Sequence, residues 1–341
     1  MIIGGEGRRM RYIEAMRAQG KNLRISRDAV TSQLTSLDLA PWRDRRLGLA
    51  GMGASANAIA AVLPEYRAAG LAVSAWLGSE LVQAGATAGL EAVIAVTQTG
   101  KSAEIVAALD GLPAGCPALA VTDEPASPVG SRAAAALDLA LLEDSNVRTI
   151  GYTGTVQALL LLRDALAPGS APAAAWDEVA DETDRLVPEA EELAAAVLGR
   201  LREVAAFDVV GAGVHAGTAA QGALLLREVA KVPAAGYETY QYLHGPIEAA
   251  GPGLGLLIAG GAREARLAAQ MAAAGAAVVL AATEPVDAPP GVTVFRLPAL
   301  TPAAQAVLGI LPAQAISGAL ADAAGLPDGE FRFHQDDTKV G

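Results

Sequence analysis

The chain has 341 residues, 52% of them hydrophobic, with 37 acidic against 25 basic side chains and a formal net charge of −12. That length and apolar content hold one large or two medium domains with buried cores and exclude a disordered chain, and the negative balance excludes a nucleic-acid groove, which needs a cationic face. One cysteine, Cys116, excludes an intramolecular disulfide and fits a reducing compartment; no uninterrupted apolar run approaches the roughly 18 to 20 residues of a membrane span and no leader pattern opens the chain, so a cytoplasmic protein with no membrane partner is expected.

In chain order, Arg43, Arg45 and Arg46 form the densest basic group and read as a solvated connection to the first strand. Short apolar runs then alternate with alanine- and leucine-rich helical stretches, the pattern of a parallel sheet covered by helices. Strands are expected at 47–50, 71–75, 92–96, 118–121 and 137–141, and Cys116 reads as a small core residue. A helix over 153–166 ends in Ala167-Pro168-Gly169-Ser170-Ala171-Pro172, which reads as a linker. An acidic helix over 176–202 leads into a second series at 207–210, 254–259, 277–281 and 292–295. The halves read as copies, since Gly51-Met52-Gly53-Ala54-Ser55 after the first strand of one is answered by Gly211-Ala212-Gly213-Val214-His215 after the first strand of the other.

The copies differ where chemistry is expected. The strand 92–96 runs into Thr97-Gln98-Thr99-Gly100-Lys101-Ser102, whereas its counterpart ends in Gly260-Gly261 without hydroxyls. Three hydroxyls and free backbone N–H groups at a helix start suit a phosphate ester. The alternative is helix capping, with Ser or Thr as cap and Glu104 within reach of a capping box; Ser55, at the equivalent turn after the first strand, favours a shared pocket at the C-terminal sheet edge. A dinucleotide site is disfavoured, because neither Gly51-x-Gly53 nor Gly211-x-Gly213 completes the glycine fingerprint and no acidic residue ends the next strand.

On these motifs the sequence resembles the double sugar-isomerase (SIS) domain family, and within it the isomerase half of glucosamine-6-phosphate synthase. Thr97 to Ser102 is similar to that family's Ser-x-Ser-Gly-x-Thr phosphate loop, and Met52-Gly53-Ala54-Ser55 stands at its Gly-Thr-Ser turn. Glu143, Thr149 and Thr153 resemble the crossover that closes the sugar pocket, and Gly222 to Glu228 the helix with the catalytic glutamate. His244-Gly245-Pro246 and Asp337-Thr338-Lys339-Val340 resemble two further signatures, and the likeness covers residues 25–341. It implies an α/β protein of two SIS domains, each a five-stranded parallel sheet flanked by helices in a flavodoxin-like three-layer sandwich. The implied division is an N-terminal extension 1–24, a phosphate-binding domain 25–170, a second domain 171–327 and an active-site tail 328–341.

The resemblance assigns the phosphate and sugar to Gly53, Ser55, Thr97, Gln98, Thr99, Ser102 and Thr149, and catalysis to Glu228, His244 and Lys339. Interconverting a ketose phosphate and an aldose or amino-aldose phosphate needs ring opening and a proton moved between C1 and C2, both acid–base work. Glu228 can shuttle that proton if burial raises its pKa, or it is a solvated carboxylate beside Arg227. His244 can serve ring opening, or it is a turn histidine. Lys339 is implied as a Schiff-base nucleophile, against a frayed solvated tail; His215 and His334 carry no implied role, and Asp336 and Asp337 either tether the tail or face solvent. No metal and no cofactor are expected, and the family's histidine implies a homodimer with composite sites.

Departures from the synthase pattern are equally informative. No glutaminase half is expected, and Gln221 and Leu225 stand where the synthase branch carries Glu and Lys. With the aromatic approach Tyr237 to Tyr242, these changes favour amino-sugar-phosphate deaminases or fructosamine-6-phosphate deglycases. A simple aldose–ketose phosphate isomerase and a non-catalytic sugar-phosphate sensor remain as alternatives.

Overall fold

Strands covered by helices on both faces must be apolar throughout, and the short Val-, Ile- and Ala-rich runs of this chain meet that demand. In the computed structural model, which describes residues 10–340, helices α1 (Tyr12–Arg17) and α2 (Gln19–Ser36) lead into β1 (Leu47–Gly51), α3 (Ala54–Ala68), β2 (Val73–Leu77), α4 (Gly78–Ala84) and β3 (Ala92–Val96). There follow α5 (Ala103–Asp110), β4 (Ala118–Thr122), β5 (Ala135–Asp138) and the long helices α6 (Ile150–Leu166) and α7 (Trp176–Leu201). The second half runs β6 (Ala206–Gly211), α8 (His215–Glu228), β7 (Ala234–Glu238), α9 (Thr239–Leu243), β8 (Leu254–Gly260), α10 (Ala262–Ala273), β9 (Ala277–Ala282), β10 (Val292–Arg296), α11 (Pro302–Leu308) and α12 (Leu311–Ala323).

The strands form two five-stranded sheets in the orders β2-β1-β3-β4-β5 and β10-β9-β8-β6-β7, all pairs parallel. Read from the opposite edge, the second order repeats the first, and both are the flavodoxin-like 2-1-3-4-5 arrangement. Two parallel five-stranded sheets flanked by helices are therefore as expected. Details differ: β7, absent from the expected runs, is built from Ala-Ala-Gly-Tyr-Glu, too poor in branched residues to stand out. β2 lies two residues later than expected, β5 starts two residues earlier and ends three earlier, and α6 begins at Ile150 rather than at 153. The expected boundary at 24/25 falls inside α2, whose Gln19, Asn22, Leu23 and Ser26 are buried on the core. Cys116 is half-buried.

The halves share one apolar core. α7 buries residues at helical spacing, among them Val179, Thr183, Leu186, Ala190, Ala194, Val197 and Leu201, and turns its acidic face outward. α3 crosses α8 so closely that a Cβ on Gly217 would lie 2.3 Å from the backbone nitrogen of Ala61, which leaves glycine as the residue that fits. Where α2, α6 and α12 meet, fully buried Gln19, Gln314 and Thr153 satisfy one another's polar groups. The run Pro302–Ala323 is, by length and mean hydropathy, apolar enough to cross a membrane, though polar residues such as Gln305, Gln314 and Ser317 interrupt it, and nearly all of it is buried within the protein.

Candidate functional site

In a 2-1-3-4-5 sheet the crevice opens where the chain leaves β1 and β3 in opposite directions. Gly51 pairs with Val96 in the last rung of that strand pair, so the turns Met52 to Ser55 and Thr97 to Ser102 stand side by side at the C-terminal edge. Gly53 takes φ +52° and is exposed, and Ser55 opens α3 half-buried.

The hydroxyl loop is held by backbone on both flanks. Gln98 O accepts from Asp123 N (2.9 Å) and from the Thr122 hydroxyl (3.1 Å), and Gly100 O accepts from Val129 N (3.0 Å). Gly100 adopts φ +63°, and a Cβ there would lie 1.8 Å from Ser127 Oγ. Thr97 and Ser102 approach to 3.1 Å at their hydroxyls. Ser102 occupies the N-cap position of α5 yet makes no side-chain cap bond, so the capping alternative fails for this hydroxyl. Among the described residues the Thr99 hydroxyl and the backbone N–H groups of Thr99, Lys101 and Ser102 have no partner, the donor set an oxyanion would take up.

The tail reaches this loop. Ala103 N donates to Thr338 O (3.1 Å) and Val340 N to Lys101 O (2.9 Å), which makes Ser102 and Lys339 an antiparallel pair. The hydrogen bonds flank that pair, so it is the non-hydrogen-bonded kind, with Cα atoms about 4.5 Å apart and side chains on one face. Val340 packs on the apolar cluster beneath α5 and pins the register. Lys339 is exposed and stands beside the hydroxyls, not in a frayed end.

Glu228 closes α8. Burial raises its carboxyl above the ordinary range, with Lys231 pulling the other way. Around it lie groups the sequence did not single out. The Tyr12 hydroxyl donates to Gln314 O (3.2 Å), and burial together with Asp144, Asp328 and Glu228 pushes its pKa up. Asp144 is buried, accepts from Gly151 N (2.7 Å), Ser145 N (2.8 Å) and Thr149 N (3.3 Å), and is raised by burial; an acid just before a helix start was the available signal. Gln98 lies over Gly151, where a Cβ would stand 2.6 Å from its Oε1, and joins the loop to this corner. Beside it Gln98, Thr99, Asp123, Glu143, Asp144 and Arg148 line a cavity of about 230 Å³.

Thr149, expected as a sugar contact, and Thr153, expected as part of the crossover, both lie beneath the turn. Thr149 is fully buried and its hydroxyl donates to Asp144 Oδ1 (3.2 Å), while Thr153 is spent on the Gln19 network; both shape the turn from beneath. His244 is exposed on the turn after α9, at the β7 edge of the second sheet, and makes no side-chain hydrogen bond to the other candidates among the described residues. Gln221 accepts from Asn57 Nδ2 (3.0 Å) across the α3–α8 contact, and Leu225 is core. His215 is buried, which lowers its pKa to about 4, and His334 is exposed. At the second sheet the matching N–H groups are taken by the chain's own carboxylates, Gly261 N on Glu264 Oε2 (3.1 Å) and Ala262 N on Glu284 Oε2 (3.2 Å).

No family model matches the chain. Over 170 residues it is 33% identical to the glutamine–fructose-6-phosphate aminotransferase (isomerizing) of Thermococcus kodakarensis, a stretch covering 46% of this chain and only 27% of that protein. Glucosamine-6-phosphate deaminase from Thermotoga maritima superposes with a TM-score of 0.75 at 18% identity, over 96% of this chain and 98% of that one. Tagatose-6-phosphate ketose/aldose isomerase from Escherichia coli does so with a TM-score of 0.78 at 20% identity, over 95% and 97%. The shared feature is the fold.

Proposed function

We propose that this chain is a SIS-type phosphosugar isomerase and deaminase, acting on an amino-sugar or fructosamine 6-phosphate and releasing ammonia or an amine. The observation that carries the reading is the pairing of Lys339 with Ser102, which sets an amine beside the free donors of the hydroxyl loop. The phosphate is held by the N–H groups of Thr99, Lys101 and Ser102 and the hydroxyls of Thr97, Thr99 and Ser102, with Gln98, Gly53 and Ser55 around it. Charge-assisted hydrogen bonds of this kind let an acidic protein bind a dianion locally.

With the ring of an amino-sugar 6-phosphate open, moving the C2 proton to C1 leaves an imine at C2; the Lys339 amine adds there and ammonia leaves, giving the same Schiff base that Lys339 forms with a ketose C2 carbonyl by loss of water, and water then hydrolyses it to the ketose 6-phosphate and the free lysine. Glu228 takes the proton from one of C1 and C2 and returns it to the other, a task suited to a carboxyl whose affinity for protons burial has raised. His244 serves ring opening in the site of a second copy, in a homodimer whose sites are completed across the interface; its exposure at the sheet edge supports this. The domain division, with the first half holding phosphate, is supported by the occupied N–H groups of the second.

The second reading is an aldose–ketose phosphate isomerase without nitrogen chemistry, favoured by the likeness in fold to the tagatose-6-phosphate ketose/aldose isomerase; in it Lys339 is dispensable. Ammonia and amine release measured over a panel of hexosamine 6-phosphates and fructosamine 6-phosphates separates the two. Release abolished in Lys339→Met supports the first; ketose–aldose conversion without release, at the same rate in Lys339→Met, supports the second. If no panel member is converted or bound, both fail.

A further inference from the structure

Lys231 is one of three non-glycine residues with positive φ among the described residues, at +57°. A side chain in that region carries a conformational cost that glycine avoids, and such cost persists where something else holds the residue in place. Here it is held at both ends of a contact. Its ammonium donates to Glu228 O (2.5 Å), the last carbonyl of α8, and to Glu330 O (2.6 Å) in the tail, and lies 5.7 Å from the centre of the Phe331 ring. A cation at a helix C-terminus is also favoured by the helix dipole.

The tail is fastened at few places. Asp328 accepts from Tyr12 N (3.2 Å), Glu330 and Phe331 engage Lys231, and Thr338 and Val340 pair with the hydroxyl loop. Residues 332–337 between these points are exposed and make no hydrogen bond among the described residues. The segment that delivers Lys339 is thus a strap, pinned at one end by the loop and at the other, just beyond the Asp328–Tyr12 contact, by Lys231, which also grips the end of the helix carrying Glu228.

We infer that Lys231 is a positioning residue, which fixes the strap to the end of α8 and so keeps Lys339 in register with Ser102 while Glu228 stays on the same frame. Its consequence for turnover rests on the proposed function; its consequence for the strap does not. Lys231→Gly removes the ammonium and relieves the backbone at once, whereas Lys231→Arg keeps a cation. Amide hydrogen exchange at Ala103 and Val340 reports the strap directly. In Lys231→Gly these two amides are expected to exchange about tenfold faster or more, the scale of losing charge-assisted hydrogen bonds, with the strands of both sheets unchanged.

Borohydride trapping of fructose 6-phosphate on the peptide bearing Lys339 falls in parallel, fructose 6-phosphate affinity is retained, and Lys231→Arg restores both readouts. Phe331→Ala, which leaves the backbone alone, is expected to give a weaker version of the same loosening. Unchanged exchange at Ala103 and Val340 in Lys231→Gly overturns the inference, as does loosened exchange with trapping undiminished. If the unaltered protein traps no sugar, the Schiff-base reading falls while the exchange measurement still decides the strap.

Discussion

Replacing Gly100 by alanine attacks the hydroxyl loop through its backbone without removing a hydroxyl. Two costs are separable. An L-residue at φ +63° loses about 1 to 2 kcal/mol relative to glycine. The new Cβ, 1.8 Å from Ser127 Oγ and 2.2 Å from Ser127 Cβ, forces an overpacking shift of about 1 to 3 kcal/mol. Ser127 cannot yield freely, because its hydroxyl accepts from Gly130 N (3.2 Å). The sum, about 2 to 5 kcal/mol, is read by urea unfolding, alongside sugar-phosphate affinity by calorimetry. Adding Ser127→Gly removes the clash and leaves the dihedral cost, so the double-mutant cycle should return a favourable coupling of about 1 to 3 kcal/mol. A Gly100→Ala protein as stable as its parent, or a cycle with no coupling, refutes this account of the loop.

Thr99→Val keeps shape and deletes a free hydroxyl, so affinity for sugar phosphates should drop about tenfold or more; an equal loss for the unphosphorylated sugar would make the residue structural. Because burial raises the Glu228 carboxyl, its neutral form is favoured on folding, and the stability this gives is present at low pH and lost as pH rises through the raised pKa. Glu228→Gln should therefore be more stable than the parent at neutral pH while losing C1–C2 proton transfer, and a destabilised Gln variant would contradict the sign. His215 works the other way: lowered from 6.5 to about 4, it must be charged to unfold in acid, so stability falls as pH drops from about 6.5 to about 4, by about 3 kcal/mol in total. His215→Gln should flatten that slope by about one proton in an acid titration followed by fluorescence.

Local signals were legible in the sequence and distant ones were not. The strand runs, the glycine turns after β1 and β6 and the hydroxyl loop each lie within a few consecutive residues, and the flavodoxin-like arrangement was implied by the resemblance those motifs carry. β7 escaped because an edge strand, half-exposed, needs no branched apolar run. The burial of Thr149 was not legible, because its hydroxyl is claimed by Asp144, five positions earlier, through a turn no propensity encodes. That the tail around Lys339 is not frayed shows only in its pairing with residues 101–103, more than 230 positions upstream. Lys231 offered nothing at all locally, since its left-handed backbone and its grip on Glu330 exist only in the folded chain.

The most direct test of the central claim is proton exchange at the sugar itself. The protein is incubated in heavy water with fructose 6-phosphate, glucosamine 6-phosphate and a fructosamine 6-phosphate, and deuterium at C1 and C2 is followed by NMR. Incorporation that requires the phosphate and disappears in Glu228→Gln is expected of a carboxylate moving a proton between C1 and C2. Binding of these sugars with no incorporation into any of them would contradict an isomerase and leave a site that holds a sugar phosphate without transforming it.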